Sequence, residues 1–261
     1  MPEGDTVFHA AKLQNEALAG VTLTGFELRV PKFAAADLTG ETVHEVVARG
    51  KHLLHRIGEW SLHSHLKMEG VWRLVPPDGR WPRPAFQARA VLRTASVTAI
   101  GFELGITELI PTAEEDTVVG HLGPDLLGAD WNPASAAEAV RRLQEHPEVP
   151  VFGAVLEQRN LAGVGNVYAN ELCFLRGLLP TTPIGDTDAA AIVDLARRLL
   201  VANRDRFPRV TTGDTRPGHR SWVYGRTGQP CRRCGTTLLG GELGARVGQE
   251  RVVTWCPVCQ R

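Results

Sequence analysis

Two cysteine pairs near the end of the chain limit what it can fold into more than any other feature. In "CRRCGTTLLGGELGARVGQERVVTWCPVCQR", Cys231-x2-Cys234 and Cys256-x2-Cys259 stand 21 residues apart. Two such knuckles offer four thiolates to one tetrahedral ion, and the residues between them can form a β-hairpin. Two disulfides are the alternative, which a reducing compartment disfavours. One structural zinc ion is therefore expected. Four thiolates close its coordination shell, so its part in function is indirect: it stiffens a hairpin that presents Arg251 to a phosphate. The fifth cysteine, Cys173, lies in an apolar helical run and reads as a packed core thiol.

The basic residues gather toward the same end. The 261-residue chain has zero formal net charge, which by itself argues against a nucleic-acid binder. Yet Arg197–Arg261 holds 13 arginines and no lysine against Asp205, Asp214, Glu242 and Glu250, a balance of +9. The first 196 residues carry the compensating −9. A basic last third is the electrostatic footprint of phosphate contacts; chance clustering on a solvated surface is the alternative. No run of ~20 apolar residues could span a membrane. Glu3 and Asp5 stand where a secretory signal would be basic, so a cytosolic protein is expected.

Periodicity changes along the chain. Asp5–Ala19 suits one amphipathic helix ended by Gly20. Seven short β-prone runs follow, from "VTLTGFELRV" to "VTAIGFEL", separated by Gly, Pro and polar turns, as in an antiparallel sandwich or barrel. From Asn132 the period is helical, and the Pro-, Gly- and acid-rich stretch 111–132 marks a boundary. The fold class is α+β. Between two helical runs, "LEQRNLAGVGNVYANELCF" sets Asn160, Gly163 and Gly165 in a turn, with Asn166 as an N-cap for the second helix. A glycine turn behind a helix N-terminus can hold an anion, although many tight helix–helix turns look alike. At the other end, "MPEGDTV" leaves two readings. Pro2 could start the helix, or, with Met1 removed, serve as a reactive terminal amine beside Glu3.

Together these pieces resemble the formamidopyrimidine-DNA glycosylase/endonuclease VIII (Fpg/Nei) family of DNA repair enzymes. The likeness rests on the terminal "PEG", "RGKHLL" around Lys51, "HSHLKMEGVW", "LAGVGNVYANEL" and "WVYGRTGQPCRRCG…CPVCQR", which cover almost the whole chain in the family's order. The resemblance implies a helix and β-sandwich catalytic domain (1–115), a helix–two-turn–helix DNA-binding domain (130–215) and a zinc finger (225–261). It implies Pro2 as nucleophile, Glu3 as its neighbouring acid, Lys51 as the hairpin lysine, and Asn166 and Arg251 as phosphate contacts. The expected activity is removal of oxidised bases, followed by β,δ-elimination through a Pro2 Schiff base. The partner is damaged DNA, duplex with single strands left open, bound by a monomer with no membrane attachment, nucleoid-associated in a bacterium.

Met68 falls where the family places an intercalating wedge, with a buried strand methionine as the alternative. His63 and His65, at period 2, read as packing residues, and Arg216, His219 and Arg220 as a solvated basic loop. "PEGDTV" points to the Nei branch and oxidised pyrimidines. So does "GFELGITELIP", which lacks the Asp-Pro-Arg-Arg-Phe-Gly segment that supplies void-filling side chains in Fpg-type members. An Fpg-type 8-oxoguanine enzyme, an inactive zinc-finger DNA-binding protein, and a zinc ribbon that binds RNA or protein are the competing functions.

Overall fold

Helix α1 (Gly4–Leu18) buries Val7, Ala11 and Leu18, a spacing of four and seven that puts all three on one stripe. It ends at Ala19, and Gly20 takes a φ of +76, which a glycine adopts without strain. The computed structural model describes residues 2–244 and 250–261. Within these the chain forms two compact units that divide between His121 and Leu122.

The first unit holds α1 and eight strands: β1 (Gly25–Leu28), β2 (Val43–Arg49), β3 (His52–Ile57), β4 (Trp60–His65), β5 (Val71–Val75), β6 (Ala88–Arg93), β7 (Thr98–Phe102) and β8 (Ile106–Pro111). They make two antiparallel four-stranded sheets, ordered β1-β6-β7-β5 and β2-β3-β4-β8. One core lies between the sheets and α1, built from Val7, Leu18, Phe26, Val46, Leu53, Leu62, Trp72 and Leu92 among others. Burying a side chain of this size contributes about 1.5–3 kcal/mol relative to leaving it in water. β8 is absent from the runs legible as strands, and "SLHSHLKM" stops being strand at His65. The chain then turns over Lys67, Met68 and Glu69 into β5.

Helix α1 is fastened to the second sheet by polar bonds as well as by apolar contact. The Val46 N–H donates to Asn15 Oδ1 (2.8 Å), and His55 Nε2 lies 2.8 Å from Gln14 Oε1. Gln14 Nε2 donates to the Ala10 carbonyl, so its oxygen is the acceptor and His55 Nε2 carries the proton.

A short helix, α2 (Asp116–Val119), closes the first unit, and the second unit starts at Leu122. It contains α3 (Pro133–Leu143), α4 (Val151–Leu156), α5 (Asn166–Arg176), α6 (Ala189–Asn203) and the hairpin β9 (Leu239–Leu243) and β10 (Arg251–Trp255). Asn132 caps α3 in a capping box with Ser135, an arrangement worth about 1 kcal/mol. Helix α5 is buried from Asn166 to Phe174, so it forms the centre of this unit. No helix among the described residues is long and apolar enough to cross a membrane.

Candidate functional site

In the first unit the helix N-terminus is set by Glu3, not by Pro2. Glu3 is the N-cap, extended at φ −126 and ψ −173, and its residue is fully buried. An extended Glu3 leaves Pro2 one position outside the helix, partly exposed, so Pro2 is not the first helical residue as its helix-starter reading expects. Met1, whose removal that chemistry needs, lies outside the described residues. Lys51 occupies the tight β2–β3 turn after Gly50, whose φ is +58. The Gln14 and Asn15 bonds described above tie that hairpin to the helix that carries Glu3.

Met68 is 59% exposed at the tip of the turn between β4 and β5, which excludes a buried strand methionine. Lys67 enters this turn at φ +52, its N–H donating to His65 Nδ1 (2.9 Å), and Gly70 N–H closes it on the Leu66 carbonyl (2.9 Å). A Cβ on Gly70 would stand 2.3 Å from that carbonyl oxygen, so glycine is required there.

Beside these turns the outer face of the second sheet carries a polar chain. Cross-strand register pairs His52 with His65 and His63 with Glu108, which puts all four on one face. Glu108 Oε1 accepts from His63 Nδ1 (2.7 Å), and His63 Nε2 lies 2.7 Å from His52 Nδ1. His63 thus links the β8 carboxylate to His52 of β3 in one polar chain across three strands. Burial, with His63, His65, His121 and Lys67 around it, pushes His52 down to about 3. Burial, with Lys67 and Lys51 nearby, pushes His65 to about 4. Fully buried His55, on the opposite face, is pushed to about 3 by desolvation. The packing reading of His63 and His65 covers part of this arrangement. It misses the partner Glu108, which only strand pairing brings alongside.

These depressed values set an acid sensitivity. Below pH 6.5 the unfolded chain takes up protons on His52, His55 and His65 that the folded chain refuses, so stability is complete above 6.5 and falls as pH drops toward 3–4. Each such histidine costs about 1.4 kcal/mol per pH unit within that window. Urea melts at pH 6.5 and 5, where most carboxylates stay ionised, should show a clear loss, and His55→Gln should flatten it.

In the second unit, α5 joins two of the expected phosphate contacts. Gly163 takes a φ of +108, and its N–H donates to Gln158 Oε1 (3.1 Å), while Gln158 Nε2 reaches the Leu156 and Val164 carbonyls. The N-cap of α5 is Gly165, not Asn166; Asn166 is the first helical residue, because an extended Gly165 (φ −126) makes the bend into the helix. One turn on, Asn170 Nδ2 donates to the Asn166 carbonyl (2.7 Å) and lies 3.3 Å from Asn166 Oδ1. Its own Oδ1 accepts from the Thr254 N–H of β10 (2.7 Å). Asn170 therefore clamps Asn166 to the strand that begins with exposed Arg251. Asn170→Leu should strand a buried N–H on Thr254, lowering stability by about 1–3 kcal/mol, which thermal melts would show.

A second buried polar anchor escaped sequence reading. Glu171 is fully buried, and its carboxylate accepts from the N–H groups of Trp222 (2.8 Å), Val223 (2.9 Å) and Tyr224 (2.9 Å) and from the Thr211 hydroxyl. It holds both ends of the 211–224 loop. In that loop Arg216 pairs with Asp214 (2.5 Å), Arg220 Nε donates to the Thr215 carbonyl (3.1 Å), and both arginines remain accessible, as expected for a solvated basic loop.

The four tail cysteines converge. Their Sγ atoms all lie within 4.8 Å of one another, with Cys234–Cys256 at 3.4 Å and Cys231–Cys259 at 4.0 Å. A tetrahedron with 2.3 Å metal–sulfur bonds has edges of about 3.8 Å, so the set fits one tetrahedral ion and the sulfurs are free thiols. Hydrogen bonds from Thr236 pull Cys234 down to about 6, whereas burial and the neighbouring sulfurs raise Cys256 and Cys259, a balance that a bound cation would reverse. Cys173 is a free thiol buried in α5, as expected, and desolvation raises it to about 12.

Comparison with known proteins agrees with this geometry. Residues 1–103 match the family model of the formamidopyrimidine-DNA glycosylase N-terminal domain. Over its full length the chain is 51% identical to DNA-(apurinic or apyrimidinic site) lyase Nei2 of Mycolicibacterium smegmatis, covering 99% of it. It is 50% identical to endonuclease 8 2 of Mycobacterium tuberculosis, with all of both chains covered. Its fold matches a Lactococcus lactis formamidopyrimidine-DNA glycosylase, solved bound to DNA containing an AP site, with a TM-score of 0.79, 24% identity and 99% of each chain covered. A half-identical match from end to end, on a sandwich, helical unit and four-cysteine hairpin of this kind, has one reading: the chain belongs to the formamidopyrimidine-DNA glycosylase/endonuclease VIII family, on its Nei-like side.

Proposed function

We propose that this protein is a bifunctional DNA glycosylase and AP lyase that removes oxidised bases, chiefly pyrimidines, and cuts the strand by β,δ-elimination. The observation that carries the reading is the α1 terminus: Pro2 directly precedes a fully buried Glu3 N-cap, on a helix bonded to the hairpin that bears Lys51. The names of the half-identical relatives, an AP lyase and an endonuclease 8, support it.

The chemistry follows from residue type. A terminal amine has a reference pKa of about 7.7–8.0, so near pH 7 an appreciable fraction is neutral, and the positive end of α1 favours that form further. Pro2 nitrogen attacks C1′ and the C1′–base bond breaks, the base leaving with the electron pair and gaining a proton. The sugar ring opens to an iminium between Pro2 and C1′. This electron sink acidifies the C2′ hydrogen. Its loss expels the 3′ phosphate by cleavage of C3′–O, a second elimination cleaves C5′–O, and water then releases Pro2. Glu3 is the adjacent proton carrier for ring opening and elimination. Lys51 neutralises a phosphate at the lesion. From the second unit, Asn166 Nδ2 donates to a phosphate while its Oδ1 faces Asn170, and Arg251 supplies a further cation. The four thiolates hold one zinc ion, which keeps β10 and Arg251 in place.

Extruding the base costs a few kcal/mol and leaves a gap in the stack. Met68, exposed at its turn, is the wedge. The β7–β8 connection is only Glu103–Gly105 and carries no arginine or aromatic ring to probe the opposite base. Cleavage rates on duplexes with each of the four bases opposite the lesion should therefore differ by less than about tenfold. A strict preference for cytosine opposite 8-oxoguanine would sink this part of the reading. The activity itself is tested by borohydride trapping on an abasic or thymine-glycol oligonucleotide. A covalent protein–DNA adduct is expected; its absence rejects the lyase mechanism.

A further inference from the structure

The chain leaves α6 at Asn203 and comes back under it at Val210, and one buried amide closes this excursion. Asn203, 1% exposed, donates through Nδ2 to the Leu199 (2.8 Å) and Val210 (3.0 Å) carbonyls and accepts through Oδ1 from the Val210 N–H (2.8 Å). The Arg206 N–H adds a bond to the Asn203 carbonyl (3.0 Å). On a loop pinned in this way, Phe207 is held 80% exposed. A phenyl ring left in water forfeits its burial energy, and here a braced loop keeps it there rather than letting it fold back.

The segment that carries the ring is rich in arginine. Arg206 is exposed beside it, Arg204 and Arg209 are half-buried on either side, and the segment's one carboxylate, Asp205, pairs with Arg204 (3.4 Å). The Arg209 guanidinium lies over the Tyr168 ring at 4.7 Å. Tyr168 is two residues past Asn166 on α5, so the basic end of the loop rests on the helix whose first residue is proposed to bind phosphate. A protein-docking patch would continue in apolar neighbours, whereas the chain on both sides of this ring carries arginines, at 204, 206 and 209. Aromatic faces among arginines suit unpaired nucleotides: any base stacks on the ring and the cations take the backbone. A base inside a duplex already has both faces covered.

We propose that Phe207, with Arg206 and Arg209, forms a stacking site for an unpaired base on the DNA strand whose phosphate Asn166 holds. The site gives the enzyme affinity for single-stranded and locally opened DNA, and it rests on the function proposed above.

The test is fluorescence anisotropy with a labelled single strand carrying a tetrahydrofuran abasic analogue, compared with the same strand annealed. Phe207→Ala should weaken single-strand binding about tenfold and duplex binding less than about twofold, with Phe207→Trp restoring it. Arg206→Ala should reduce the salt dependence of single-strand binding by about one counterion. Unchanged single-strand affinity in Phe207→Ala, or equal losses on both substrates, overturns the proposal. Should Phe207→Ala melt earlier than wild type, Arg206→Ala makes the same comparison, and equal losses again overturn it. If the wild type binds neither substrate, the proposed function falls as well; if it binds both and Phe207→Ala is unaffected, only the stacking site falls.

Discussion

A chain that keeps Met1 should give no borohydride-trapped adduct at all, and Pro2→Ala should lose at least about a hundredfold in AP-site cleavage. The two variants separate two roles of the terminus. A bulky residue at position 2, such as Pro2→Leu, leaves Met1 attached and puts the only terminal amine one residue further from the buried Glu3. Pro2→Ala permits Met1 removal but supplies a primary amine, whose imine must be protonated before it can draw electrons. The proline iminium is permanently charged. Residual cleavage in Pro2→Ala, with none in the Met1-retaining chain, is the expected pattern, read by gel assay and N-terminal mass spectrometry. Wild-type rates in the Met1-retaining chain would remove Pro2 from the mechanism.

Loss of the tail metal should be nearly as damaging. Cys231 and Cys256 are buried in a small cluster with Phe174, Val223 and Leu238, so ligand thiols form part of the packing of this region. Without an ion, mutually repelling thiolates would have to be neutralised or exposed there, and the hairpin would lose its fixed end. Folding free energy and metal affinity are then coupled. Cys256→Ser should purify with well under half an equivalent of zinc, against about one for wild type, and should melt more than about 5 °C lower. Its DNA affinity should fall because β10, through Thr254, is what Asn170 grips beside Asn166. Full zinc occupancy in Cys256→Ser, or unchanged DNA binding without metal, would contradict this coupling.

The helices were legible because their apolar residues recur on one stripe, and most strands because Gly, Pro and polar turns bracket β-branched runs. β8 was not. All its residues are half-buried, so no alternation marks "ITELIP", and only pairing with β4 makes it a strand. Asn166 read as a cap because its type favours one, yet Gly165 takes that place in an extended conformation open to any residue. Glu171 looks in sequence like the solvent face of a helix. Its burial depends on three N–H groups about fifty residues away, which no local pattern contains. The four cysteines were legible in full, since their spacing encodes the chemistry directly. The Glu108–His63–His52 chain was half legible: the histidines alternate within one strand, and the carboxylate comes from another.

The short β7–β8 connection has a consequence for re-engineering. β7 belongs to one sheet and β8 to the other, so Glu103–Gly105 crosses between layers, held at its ends by the Glu103 N–H on the Gln87 carbonyl (2.8 Å) and the Gly105 N–H on the His65 carbonyl (2.9 Å). A graft between Leu104 and Gly105 would shift no strand register, and lengthening such a crossover costs little chain entropy. The same corner is tight: a Cβ on Gly105 would stand 2.1 Å from Lys67 Cγ, beside the turn that carries Met68. Inserted sequence could add a probe for the opposite base while the proposed wedge, Met68, stays put, provided that the glycine is kept. Substrate discrimination in this scaffold can thus be treated as a replaceable part, separable from the terminus proposed to do the cutting.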